Sequence, residues 1–216
     1  MKRYCEIGTN GGHGTVAMLL ANQNMSVVSF DLGQYPYSSK VRTLLMESFP
    51  GRLRIIHGSS YGDEATRNHL GANLMRDGPL LPHRSECVPE RDGVATCFAR
   101  EVALGRESPC DVVMIDGDHS YEGILADLKI MAHAATPCAH TLLMDDIGES
   151  ASGGLRAVRH AEHLGRLNVT KRYFYNRPQE PDNPCLRWKE NGRATHICFD
   201  SWGFLAAKFT SSQRHC

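Results

Sequence analysis

At 216 residues the chain is long enough for one sizeable domain, and its 41% hydrophobic and 22% charged residues are ordinary for a folded globular protein. Its 24 basic and 24 acidic side chains cancel, which argues against a general polyanion binder, so no nucleic-acid partner is expected. No apolar run is long enough to span a bilayer, and the basic opening MKRY leads into CEIGTNGGHG rather than an apolar signal core, so no membrane association is expected either.

Apolar runs bounded by turn residues alternate with helical patterns along the chain. RYCEIG reads as a short buried strand, and TVAMLLANQ after it as a helix with Val16, Leu19 and Leu20 on one face. SVVSFDLG is a second strand ending in Asp31. SSKVRTLLMESFPG is a helix capped by Ser38 or Ser39 and stopped at Pro50-Gly51. RLRIIHGSS is a third strand, CDVVMIDGDHS a fourth and HTLLMDDIG a fifth. Tyr121 to Ala135 is helical, with Ile124, Leu128 and Met131 on one face, and GGLRAVRHAEHLG is a further helix. NVTKRYFYN and GFLAAKFT are the last strands. Between Ser60 and Cys110 the rhythm breaks. DEATRNHLGANL and CFAREVALG are each able to supply a crossover helix, and Met75 to Thr96, with Pro79, Pro82 and Pro89 and little periodicity, reads as an inserted, flexible surface loop.

Strand and helix alternation of this kind predicts one α/β domain over residues 1–216: a parallel sheet with helices on both faces and right-handed crossovers. Ligands of such sheets bind beyond the carboxyl ends of the strands. Glu6, Gly8, Asp31, Ser59, Asp116, Asp145 and Asp146 all fall at expected strand ends. Eight cysteines are present without a C-x-x-C pair, which removes the usual zinc and redox spacing. Cys5 and Cys198 lie in apolar runs and read as small core residues, and a reducing, cytoplasmic compartment is expected.

The glycine-rich stretch Gly8–Gly14 lets backbone approach a ligand closely. Gly8-Thr9-Asn10 fails the G-x-G-x-x-G dinucleotide pattern, and Gly12–Ala17 matches G-x-G-x-x-A only several residues past the expected strand end. Glu6, two residues before the first glycine, is expected to face the cleft, where a carboxylate pairs with an ammonium group and repels a pyrophosphate. That favours an aminoacyl-bearing nucleoside such as S-adenosylmethionine over NAD. Asp31 suits ribose hydroxyls in either class.

EIGTNGG, SFDLG, HGSS, VMIDGDHSYEG and LLMDDIG occur in the order seen in class I S-adenosylmethionine-dependent methyltransferases, and most resemble catechol-type small-molecule O-methyltransferases. The resemblance covers Tyr4 to about Asp146 well and the last strands loosely. It implies a Rossmann-like, doubly wound, three-layer α/β/α fold with a seven-stranded sheet, mostly parallel with an antiparallel last strand. It implies cofactor contacts from Glu6, Gly8, Thr9, Asn10, Gly12, Asp31, Leu32, Ser59, Ser60 and Asp116, with Glu6 near the methionine end, Asp31 on the ribose and Ser59 with its neighbours near the adenine. A helical segment before the first strand also belongs to the family pattern, and the sequence opens directly on that strand.

The fourth and fifth strands would be neighbours about 4.8 Å apart, which lets Asp116, Asp145 and Asp146 converge. Three crowded carboxylates need a cation or protons between them, and hard oxygen ligands suit Mg²⁺ or a similar divalent ion. Positions matching these three hold a divalent ion in the resembling metal-dependent enzymes, where the third is usually Asn. His119 falls at the offset of the family's general base. The expectation is metal-assisted methylation of a small-molecule hydroxyl. The alternatives are an NAD-type oxidoreductase on a similar sheet or a truncated, inactive cofactor-binding protein.

Overall fold

The computed structural model describes residues 2–72, 86–147, 153–176, 186–190, 193–197 and 201–210. Strands β1 (Arg3–Ile7), β2 (Ser26–Asp31), β3 (Leu53–His57), β4 (Val112–Ile115), β5 (Thr141–Met144), β6 (Leu167–Asn176) and β9 (Ser201–Phe209) form one seven-stranded sheet in the order β3-β2-β1-β4-β5-β9-β6. The pairs β1–β2, β2–β3, β1–β4 and β4–β5 are parallel, while β9 runs antiparallel to both β5 and β6. A separate hairpin of β7 (Leu186–Glu190) and β8 (Arg193–Ile197) comes between β6 and β9 in the chain.

The alternation of side chains along each strand divides the core in two. On one face Cys5, Ile7, Val28, Phe30, Val113 and Ile115 pack beneath α3 (Glu64–Ala72), α5 (Val94–Ala103), α6 (Tyr121–Ala134) and α7 (Gly153–His163). On the other, Tyr4, Val27, Ile55 and Val112 meet Leu19 of α1 (His13–Ala21) and Leu45 of α2 (Ser38–Ser48). Helix α6 is the spine of the first layer, with α3, α5 and α7 all packed against it. Ile124, Leu128 and Met131 are buried as their spacing predicts, and Ser120 caps the helix by accepting the Gly123 N–H at 3.0 Å. His140, just before β5, donates from Nδ1 to the Thr136 carbonyl and accepts the Phe209 N–H at Nε2, each at 2.8 Å, which ties the end of β9 to the sheet.

Several expectations change. Leu20 is 69% exposed, because Thr15 and Leu19 are the residues of α1 that face the sheet. Tyr37, not Ser38 or Ser39, occupies the cap position of α2, with no side-chain cap bond. Cys5 is in the core, but as half of a disulfide to Cys110, not as a free thiol; a second disulfide joins Cys87 to Cys97. Cys198 and residues 73–85 lie outside the described residues. The remainder of the expected surface loop is built into the fold: α4 (Pro89–Asp92) leads into α5, and Asp92, Ala95 and Thr96 are fully buried. Among the described residues no helix is long and apolar enough to cross a membrane.

Candidate functional site

The turn between β1 and α1 is shaped by contacts that only glycine permits. Gly8 has φ +97°, and a Cβ there would lie 2.0 Å from the Asp116 carbonyl oxygen, so the loop after β1 sits directly on the end of β4. Its N–H pairs with the Phe30 carbonyl at 2.8 Å, and the Gly12 N–H closes the turn onto Thr9 O at 2.7 Å. Asn10 also takes a positive φ of 44°.

Glu6 does not open into the cleft as expected. It is 2% exposed, on the same strand face as Tyr4 and under the first turn of α1. Tyr4 donates to its Oε2 at 2.7 Å, Ser29 to its Oε1 at 2.7 Å, and Thr15 also donates to Oε1, while Thr9 bonds to Ser29. Burial pushes the Glu6 carboxyl above its usual range against these hydrogen bonds, and burial with the adjacent Glu6 pushes the Tyr4 hydroxyl up as well. Gly14 completes this arrangement: a Cβ there would meet Glu6 Oε2 at 3.0 Å and the Tyr4 hydroxyl at 3.2 Å. The Gly12–Ala17 match to a dinucleotide pattern is therefore the start of α1 seated on a buried hydroxyl–carboxylate cluster, with Gly14 in the helix itself.

Asp31 ends β2, half-buried, with one carboxylate oxygen accepting the Asn10 N–H at 2.8 Å and the other the Gly33 N–H at 2.6 Å. Each oxygen keeps a lone pair free for a hydroxyl. Gly33 is at φ +68°, and a Cβ there would strike His57 Nε2 at 2.0 Å. Leu32 beside it is 55% exposed. A cleft of about 610 Å³ opens here, lined by Thr9, Asn10, Asp31, Gly33 and His57 with residues of α2.

The turn after β3 is held from below. Ser59 forms a closed turn with Gly62, its Oγ at 3.1 Å from both the N–H and the carbonyl oxygen of that residue. Ser60 turns inward and donates to Oδ1 of fully buried Asp127 at 2.7 Å. Tyr61 donates to Asp118 at 2.7 Å, and its hydroxyl is pushed up to about 12 by burial and by that partner.

The second constellation lies over β4 and β5, whose register sets Ile115 beside Met144 and so brings Asp116 and Asp145 to neighbouring strand ends. His119 stands with Nε2 3.6 Å from Asp116 Oδ1 and Nδ1 3.5 Å from Asp146 Oδ2. Ligand atoms of Asp116, His119 and Asp146 all lie within 4.8 Å of one another. Asp145 is beside this group rather than in it: its Oδ1 accepts the Asp146 N–H at 2.8 Å, and Asp146 takes a positive φ of 53°. Burial, then the charges of Asp116 and Asp146, push the Asp145 carboxyl up. Asp116 and Asp146 raise the proton affinity of His119. The sequence sets His119 beside the three aspartates as a base, and the structure brings it into the cluster with Asp116 and Asp146. Asp127 as the anchor of Ser60 is not legible in the sequence, because only the path of α6 brings it there.

A family model described as a methyltransferase domain matches residues 5–147. Similar solved structures include an O-methyltransferase from Bacillus cereus in complex with SAH (12% identity, 95% of this chain and 73% of that one, TM-score 0.53). They also include the O-methyltransferase TomG from Streptomyces achromogenes in complex with SAM (13% identity, 97% and 74%, TM-score 0.53). A third is the precorrin-6y C5,15-methyltransferase from Geobacter metallireducens (9% identity, 97% and 80%, TM-score 0.50). At these identities the likeness shows the shared fold. No curated protein sequence matches the chain. The family match spans β1 to the end of β5, the stretch that carries both constellations, and the chain belongs to the methyltransferase-domain family, as a class I S-adenosylmethionine-dependent methyltransferase.

Proposed function

We propose that the chain transfers the methyl group of S-adenosylmethionine to the oxygen of a small hydroxylated acceptor. The observation that carries this reading is the convergence of Asp116, His119 and Asp146 at the ends of β4 and β5, directly beside the glycine turn that Gly8 seats on Asp116. Gly8, Thr9, Asn10 and Gly12 form the backbone cradle, Asp31 offers its free lone pairs to the ribose, Leu32 lies against the nucleoside, and the turn at Ser59 and Ser60 receives the adenine. Glu6 acts from beneath, fixing the cradle through Thr15, Ser29 and Tyr4.

The carboxylates of Asp116 and Asp146, within ligand distance of each other, would suit a hard divalent cation such as Mg²⁺, with Asp145 alongside and His119 outside the ligand set as the base. When bound, such an ion lowers the proton affinity of an acceptor oxygen. His119 takes the acceptor's proton, and the flanking carboxylates stabilise the imidazolium that results. The acceptor oxygen bonds to the methyl carbon while the carbon–sulfur bond breaks, its electron pair leaves with sulfur, and S-adenosylhomocysteine is the product. The disulfides favour an oxidising compartment over the cytoplasmic location expected from composition.

The test is transfer of isotopically labelled methyl from S-adenosylmethionine to a panel of catechols and phenols, with Mg²⁺ and with chelator. Labelled ether product that chelator suppresses, and that His119→Ala reduces at least tenfold in kcat with little change in cofactor affinity, supports the reading. Cofactor binding without transfer to any acceptor supports the inactive cofactor-binding protein instead.

A further inference from the structure

The Cys5–Cys110 and Cys87–Cys97 disulfides differ in access. Cys5 and Cys110 are fully buried, whereas Cys87 and Cys97 are half-buried. Between the latter pair the chain doubles back through α4 into α5. Its centre, Asp92, is fully buried and accepts the Val88 N–H at 2.9 Å, so the segment is closed on itself. This strap is bonded to the turn after β3 along its length. The Val94 N–H reaches Ser59 O at 2.9 Å, the Thr96 N–H and hydroxyl both reach Ser60 O at 3.1 Å, and the Asp63 N–H reaches Arg91 O at 3.0 Å. The two backbones touch. A Cβ on Gly62 would lie 2.0 Å from Arg91 O, and one on Gly93 would lie 2.3 Å from Ser60 O. From the other side Asp127 and Asp118 hold Ser60 and Tyr61.

We propose that Val88–Thr96 is a positioning strap for the cofactor, set by the redox state of Cys87 and Cys97: oxidised, it holds Ser59–Asp63 in the shape that receives the adenosyl end, and reduced, it releases that turn and weakens cofactor binding. The proposal rests on the methyltransferase reading above, which places the cofactor at this turn. A small dithiol supplies the two electrons. Its thiolate attacks one sulfur, the bond between Cys87 and Cys97 breaks to leave two thiols, and the dithiol closes to its own disulfide. Of these two bonds Cys87–Cys97 is the more accessible to a dithiol, while the core shields Cys5–Cys110; Cys138 is also disulfide-bonded and exposed, so mass mapping has to separate its capping from that of Cys87 and Cys97. Opening the clip frees the strap from its own closure, and the turn loses the preorganisation that its backbone bonds provide.

The experiment titrates S-adenosylhomocysteine calorimetrically into three samples: oxidised protein, protein treated briefly with a dithiol and capped with iodoacetamide, and the Cys87→Ser/Cys97→Ser double variant. Peptide mass mapping identifies the capped cysteines. The expected result is a Kd raised about tenfold or more when Cys87 and Cys97 are capped, the same rise in the double variant, and recovery on reoxidising uncapped protein. An unchanged Kd with both cysteines capped, a folded double variant that binds as tightly as the oxidised protein, or capping of Cys5 and Cys110 ahead of Cys87 and Cys97 overturns the strap and leaves the methyltransferase reading standing. Failure of the oxidised protein to bind at all overturns that reading, and the strap with it. If the double variant does not fold, the capped protein alone decides.

Discussion

Ser60 donates its hydroxyl to Oδ1 of Asp127 across 2.7 Å, joining the turn after β3 to the second turn of α6. The other carboxyl oxygen of Asp127 is buried and has no hydrogen-bond partner among the described residues. Burial pushes this acid from 3.8 up to about 7, against the opposing Ser60 bond.

Between those two values the folded chain holds a proton at Asp127 that the unfolded chain has released. The contribution of this group is therefore full at low pH and is lost as pH rises toward 7, by at most about 1.4 kcal/mol per pH unit. Asp127→Asn removes that dependence. Urea unfolding at pH 5 and pH 8 should show the wild type losing more stability than the variant over this interval. Parallel profiles would mean that Asp127 ionises freely in the fold.

His140 predicts a dependence of the opposite sign. Its ring is fixed in the neutral form by a donated bond to Thr136 O and an accepted bond from the Phe209 N–H, and burial holds its pKa below the usual 6.5. The fold favours the neutral ring, so the contribution is present above 6.5 and is lost as pH falls toward the depressed folded value. His140→Gln should show a shallower loss between pH 7.5 and pH 5 in the same unfolding assay. A variant whose acid profile superimposes on the wild type would show that protonation of this ring does not reach the fold.

Glu6 predicts a stability effect tied to site shape. Glu6→Ala leaves the Tyr4, Thr15 and Ser29 hydroxyls without their common acceptor and should cost about 1–3 kcal/mol. Glu6→Gln, which keeps one acceptor oxygen, should cost less. Denaturant midpoints decide it, and an alanine variant as stable as the wild type would show that the cluster is solvated.

Much of the sheet was legible because hydrophobic runs bounded by turn residues are strong local signals: β2 ends at Asp31 and α6 begins at Tyr121, as their patterns predict. What failed depended on partners distant in sequence. Glu6 was recognisable as an acid before a glycine turn, but its direction follows from period-two alternation with Tyr4 and from α1 closing over that face. Leu20 continued a helical stripe whose last position finds no sheet to cover. Cys5 packs in the core as an apolar residue would, and only the adjacency of β1 and β4 brings Cys110 to it. Pro89 belongs to a stretch whose prolines and weak periodicity suggest a loop, whereas it opens a short helix whose Asp92 is buried against its own backbone.

Calorimetry of the oxidised wild-type protein with S-adenosylmethionine and with NAD, alongside Asp31→Ala, decides which cofactor the cleft takes. Saturable one-site binding of S-adenosylmethionine, weakened at least tenfold in Asp31→Ala, with no heat from NAD, is the predicted result. Binding of NAD in place of S-adenosylmethionine, or S-adenosylmethionine affinity indifferent to Asp31, would mean that the turn after β1 and the end of β2 do not hold S-adenosylmethionine.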